Sequence, residues 1–81
     1  MIIQAEVSLY PLGEEDLSPR IEQFVGALEW SGLQVKTGAM SSIVTGECGD
    51  VFKALGEAYD NDSAKGPSVL SLKISNACPV D

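Results

Sequence analysis

Histidine is absent from this 81-residue chain, and lysine and arginine together number 5 against 12 acids. Without an imidazole there is no Ser-His-Asp or Cys-His pair to activate a nucleophile and no histidine-bearing zinc site. Nor is there a side chain whose ordinary pKa lies near neutrality. The formal charge of −7, with no basic run of even three residues, sets the chain against phosphate, because nucleic-acid affinity comes mainly from Lys and Arg. Nucleic acid is not an expected partner. Cysteine is scarce too: Cys48 and Cys78 lie thirty positions apart with no CxxC, which supports neither a metal site nor a redox motif. They read as free thiols of a cytosolic protein.

Long apolar runs are also missing. The segment Met1 to Leu9 lacks the basic start, apolar stretch and small-residue cleavage site of a signal peptide, and nothing approaches the roughly 18 apolar residues of a membrane span. The expectation is a cytoplasmic protein with no membrane contact. Hydrophobic residues nevertheless make up 44% of the chain, enough for a packed core despite the net charge.

The apolar residues are ordered by two alternating periods. Ile3, Ala5, Val7 and Leu9 alternate with Gln4, Glu6, Ser8 and Tyr10 up to Pro11, the period of a strand with one buried face. Ser18-Pro19 then supplies an N-cap with proline at the first helical position. Leu17, Ile21, Phe24, Val25 and Leu28 fall on one helical stripe, and Gly32 ends it as a left-handed cap. Leu33 to Thr37 alternates again, Gly38-Ala39 forms a turn, and Ser41 to Thr45 is a strand bounded by Gly46. From Gly49 the helical period returns with Val51, Phe52, Leu55, Ala58 and Tyr59 on one stripe. A polar connection from Asn61 to Pro67 leads to a last strand carrying Leu70, Leu72 and Ile74.

The order β-α-β-β-α-β predicts an α+β domain over residues 1–81, with the ferredoxin-like four-stranded antiparallel sheet and both helices on one face. One sheet face is left bare, so self-association is expected. Trp30 lies about 165° from the centre of the first helix's apolar stripe at 100° per residue, beside Gly26. It is read either as an aromatic anchor at a subunit contact or pocket rim, or as an end residue folded over its own loop.

No catalytic constellation is evident. The one acidic cluster, Glu14-Glu15-Asp16, precedes a helix, where carboxylates meet the positive end of the helix dipole. The loop after the first strand carries no cation to hold a phosphate. A set of short polar side chains is more suggestive: Ser8 and Tyr10 on the first strand, Ser41, Ser42 and Thr45 on the third, and Glu47 just beyond. Fixed hydroxyls suit the orientation of a neutral heterocycle and a nearby acid favours a cationic one, but the same residues also read as the polar half of alternating strands.

Four segments in order give a more specific reading. Ser8-Leu9-Tyr10-Pro11-Leu12, Ser41-Ser42-Ile43-Val44-Thr45-Gly46-Glu47, Asp50-Val51-Phe52 and Ser75-Asn76-Ala77-Cys78-Pro79 resemble the YkoF-type thiamin-binding family over nearly the whole chain. The resemblance implies a non-enzymatic binder of thiamin or its hydroxymethylpyrimidine moiety, serving thiamin or precursor supply, with no other cofactor and no metal. It implies assembly into a homodimer or homotetramer, since the better-known member carries two such domains in tandem. The family's serine-threonine pair falls on Ser41 and Ser42, with serine in place of the threonine. The strand-one segment falls on Ser8 and Tyr10, and the acid after the glycine falls on Glu47.

Thr45 continues the hydroxyl set, and Tyr10, Phe52 or Trp30 offer rings for stacking. An acidic host suits the thiazolium cation of thiamin and, lacking a basic cluster, disfavours its phosphorylated forms. The alternative is a structural or regulatory assembly domain, with the sheet face and Trp30 binding protein.

Overall fold

The computed structural model describes residues 1–13 and 15–77; Glu14, Cys78 and Pro79 of the segments above lie outside the described residues. The elements are β1 (Ile2–Pro11), α1 (Ser18–Trp30), β2 (Gln34–Thr37), β3 (Ser42–Glu47), α2 (Cys48–Ser63) and β4 (Ser68–Ser75). They form one antiparallel sheet in the order β2-β3-β1-β4, with both helices on one side of it. This is the ferredoxin-like α+β arrangement that the element order predicts.

The alternation in β1 decides which side is covered. Ile3, Ala5, Val7 and Leu9 are buried under the helices, where they meet Val44 of β3, Phe24 and Leu28 of α1, and Val51, Leu55 and Ala58 of α2. Removing these side chains from water supplies most of the drive to fold, at roughly 1.5–3 kcal/mol for each large one. Gly46 faces the same side opposite Ile3. A Cβ there would stand 2.6 Å from Leu33 Cδ2, so glycine is what lets the β2 entry and α2 close on β3.

Several local expectations are corrected. Leu17, not Ser18, takes the N-cap position of α1 without a side-chain cap, and Asp16 Oδ1 accepts from the Ser18 amide at 3.1 Å. Leu17 is exposed, while Arg20, on the same helix, is buried. Gly32 does close α1, with φ +88° and its amide donating to Glu29 O at 3.2 Å. The helix α2 extends through Asp62 to Ser63, into the stretch expected as a loop. Its buried arc takes Ala54 and Asp62, and Phe52 sits outside it, half exposed. In β4 only Leu70 packs on the core; Leu72 and Ile74, on an edge strand, keep more than a third of their surface in water.

Candidate functional site

The strand β1 outruns β3. Pairing between them spans Ile2↔Glu47 to Val7↔Ser42, whereas on the other side β1 pairs with β4 as far as Pro11↔Ser68. From Ser8 to Pro11 the β3-side flank of β1 is therefore uncovered. The chain between β2 and β3 turns tightly there, with the Gly38 amide donating to Ser41 O at 2.8 Å. Between this turn, the end of β1 and the inner face of α1 lies a cavity of about 150 Å³.

Apolar side chains build its wall, among them Val7, Phe24, Leu28 and Met40, and five hydroxyl-bearing residues, Ser8, Tyr10, Thr37, Ser41 and Ser42, line it as well. No charged side chain among the described residues lines it. An apolar protein cavity of this volume takes one benzene-sized ring, and the hydroxyls give such a ring donors and acceptors on its edge.

Ser42 is the deepest of the five, with 6% of its surface exposed. Its hydroxyl bonds to no other described residue, yet no fully occluded side-chain polar atom among the described residues lacks a partner. The Ser42 Oγ therefore keeps some accessible surface, and Ser42 lines the cavity. Ser8 donates from Oγ to Met40 O across the notch at 3.5 Å, a long bond at the limit of the interaction. Tyr10 is exposed at the mouth.

The structure gathers four of the seven ligand-site candidates here: Ser8, Tyr10, Ser41 and Ser42. It places the other three elsewhere. Thr45 pairs with Gln4 and Gln34, and lines a shallow polar cup with both and Lys36. Glu47 ends β3 five residues beyond Ser42, roughly 17 Å along a strand rising about 3.4 Å per residue. There its Oε1 accepts from the Met1 ammonium at 2.7 Å, which raises that group's pKa above its ordinary value. Phe52 is exposed on α2 and lines no described cavity. Of the two interface candidates, Trp30 stands 92% exposed on the helix layer, so it does not fold over its own loop, and Gly26 has open space beside it.

Thr37 was not singled out from the sequence. The four-residue connection Gly38 to Ser41 puts Thr37 opposite Ser42, so counting outward from the turn would have found it.

The other buried polar group is of a different kind. Arg20 and Asp62, 4% and 2% exposed, form a two-pronged pair: Nε donates to Oδ1 at 3.0 Å and Nη2 to Oδ2 at 2.8 Å. Arg20 also donates to Gly66 O at 3.0 Å and Pro67 O at 3.3 Å, and the Ser68 hydroxyl donates to Asp62 Oδ2 at 2.9 Å. The bonds from Arg20, and then that from Ser68, hold the Asp62 carboxyl below its ordinary pKa. With every prong occupied, this clasp joins α1 to the α2–β4 connection.

Known proteins agree with this architecture. A family model, the YKOF-related family, matches residues 2–81. A hypothetical protein of Methanocaldococcus jannascii superposes with a TM-score of 0.88 at 28% identity, over 99% of this chain and 84% of its own. A Streptococcus pneumoniae protein gives 0.86 at 18%, over 93% and 86%. A Thermotoga maritima protein provisionally assigned to thiamine biosynthesis or salvage gives 0.84 at 17%, over 91% and 82%. No curated protein matches the chain in sequence. Among the described residues, no helix is long and apolar enough to cross a membrane.

Proposed function

The chain belongs to the YKOF-related family, and on that footing we propose that it binds thiamin by the aminopyrimidine ring, or free hydroxymethylpyrimidine, without transforming it. The observation that carries this reading is the largely buried Ser42, which lines a ring-sized cavity and whose hydroxyl has no partner among the described residues. A ligand ring that fills the cavity displaces water from this hydroxyl, so it binds well only if it bonds to the hydroxyl in water's place. An aminopyrimidine offers ring nitrogens as acceptors and an amine as donor, which matches the hydroxyls of Ser41 and Ser42.

The cavity admits one ring, so the thiazolium half of thiamin lies at the mouth beside Tyr10. There the net charge of −7 favours a cation. With no Lys or Arg among the lining residues, a diphosphate finds no counter-charge. The provisional thiamine assignment of the Thermotoga maritima protein supports the same ligand class. In this reading the protein acts in the cytoplasm, as a homodimer or homotetramer, in the supply of thiamin or its pyrimidine precursor.

Isothermal titration and thermal melting against hydroxymethylpyrimidine, thiamin and thiamin diphosphate test it. The first two are expected to bind and raise the melting midpoint, with about 2.7 kcal/mol of added stability at a hundredfold excess over Kd. The diphosphate is expected to bind more weakly. Silence across the panel overturns the ligand, and tighter diphosphate binding overturns the charge argument.

A further inference from the structure

The backbone hydrogen bonds of β1 alternate between its two neighbours. In an antiparallel pair, the residues that exchange both bonds recur at every second position. At one end of β1 the Cys48 amide donates to Met1 O at 2.9 Å, and at the other the Leu12 amide donates to Pro67 O at 3.0 Å. With the registers of β3 and β4 running unbroken between them, the odd-numbered residues of β1 turn N–H and C=O toward β3 and the even-numbered ones toward β4.

Pairing with β3 stops at Val7↔Ser42, so the next odd residue, Leu9, meets no strand on that side. Met40 would stand opposite Leu9 in a continued register, but its carbonyl accepts from Ser8 Oγ instead. The Leu9 N–H and C=O bond to no described residue. Two positions on, Pro11 has no N–H to leave unpaired. Among the described residues of this flank, Leu9 alone therefore offers an open backbone donor and acceptor together. Its side chain belongs to the core, while the residue lines the same ring-sized cavity as Ser42.

We infer that Leu9 reads the ring: its N–H donates to a ring nitrogen and its C=O accepts from the adjacent exocyclic amine, so the site selects heterocycles with an N=C–NH2 edge. This rests on the ligand class proposed above and adds the feature by which the ligand is chosen. The N–H and C=O of one extended residue lie side by side, about 3 Å apart by standard backbone geometry. A carboxamide reads the ring nitrogen and amine of adenine with a donor and acceptor paired in the same way. The other ring nitrogen and the second amine hydrogen remain for Ser41 and Ser42.

The hydroxyls cannot make this selection, because each rotates to donate or accept as needed. A backbone amide only donates and a carbonyl only accepts. A ring with an oxo group in place of the amine would, in the same pose, set donor against donor and acceptor against acceptor. A ring with neither group displaces water from the Leu9 carbonyl and returns no bond.

Amide exchange followed by NMR on the isotope-labelled chain tests the contact. In the free protein the Leu9 amide is expected to exchange about tenfold or more faster than those of Val7 and Tyr10, which are bonded to β3 and β4. Saturating hydroxymethylpyrimidine should slow Leu9 exchange by about tenfold or more and move its resonance downfield. By isothermal titration, the amine-free ring and the oxo ring should each bind about tenfold or more weakly than hydroxymethylpyrimidine. A Leu9 amide already protected in the free protein has a partner within the chain and overturns the inference. So does binding that shifts Ser41 and Ser42 but leaves Leu9 exchange unchanged, or an amine-free ring that binds as tightly; the proposed ligand survives both results. No shift at any resonance overturns the proposed ligand and this contact together.

Discussion

The C-terminal half of β1 has different chemistry on its two flanks. On the β4 side the ladder continues to Pro11↔Ser68, the Leu12 amide donates to Pro67 O at 3.0 Å, and the Arg20–Asp62 clasp closes the corner. On the β3 side pairing ends at Val7↔Ser42 and a cavity takes the place of further strand. Each flank buries polar side chains, yet Asp62 has both carboxylate oxygens bonded within the chain, whereas the Ser42 hydroxyl has no partner among the described residues and stays accessible. A buried group satisfied within the chain fixes the fold, whereas an accessible hydroxyl at a cavity wall is free to bond to whatever occupies the cavity. The same end of one strand therefore serves structure on one side and, in the function proposed above, recognition on the other.

Removing Asp62 should break this contrast most severely. Asp62→Ala leaves the Arg20 guanidinium buried without its carboxylate, and chemical denaturation should show a loss of about 3–5 kcal/mol, a large share of the 5–15 kcal/mol typical of a domain. A loss below 1 kcal/mol would mean that the clasp is incidental. Acid acts on the same group by titration. Because Asp62 titrates lower in the folded chain than its ordinary value of 3.8, the clasp's contribution is complete above that pH. It fades as pH falls below it toward the folded value. The urea midpoint should therefore drop steeply below about pH 4 in the wild-type chain, and that portion of the drop should vanish in Asp62→Asn.

The cavity flank should respond in affinity with little change in stability. Ser42→Val is expected to weaken hydroxymethylpyrimidine binding by about 1–3 kcal/mol, since a ligand atom loses its partner, while the folded state tolerates an apolar side chain of similar size. Unchanged affinity would remove Ser42 from the site. Ser8→Ala should do least, within about 0.5 kcal/mol in denaturation, because its bond to Met40 O is long and lies at an exposed mouth.

Some of this was legible from residue order. The period-two runs in β1, β2 and β4, the β-branched run of β3 and the helical stripes locate every element, because burial on one face imposes that spacing. Ser8, Tyr10, Ser41 and Ser42 were legible as a set because the end of β1 and the start of β3 are antiparallel neighbours. Glu47 and Thr45 looked like parts of that set because they follow Ser42 closely in the chain. A strand, however, carries Glu47 to its far end and turns Thr45 to the other face. Phe52 read as core from its place on the helical stripe, but it lies on the shoulder of α2, and the sheet covers only the arc through Val51, Leu55 and Ala58. Nothing in the order of residues connects Arg20 to Asp62, forty-two positions apart.

What the sequence determined alone is therefore the periodic part: four strands, two helices, their order, and an acidic surface without imidazole or basic cluster. These follow from local spacing and composition, which no packing can change. Only the tertiary structure decided which polar side chains meet. The uneven lengths of β3 and β4 beside β1, and the close approach of α1 to the end of α2, place Ser42 at the wall of a cavity and enclose Asp62 in a network of hydrogen bonds. Burial and pairing arise from contacts between distant segments, and those exist only once the sheet is registered and the helices are laid on it.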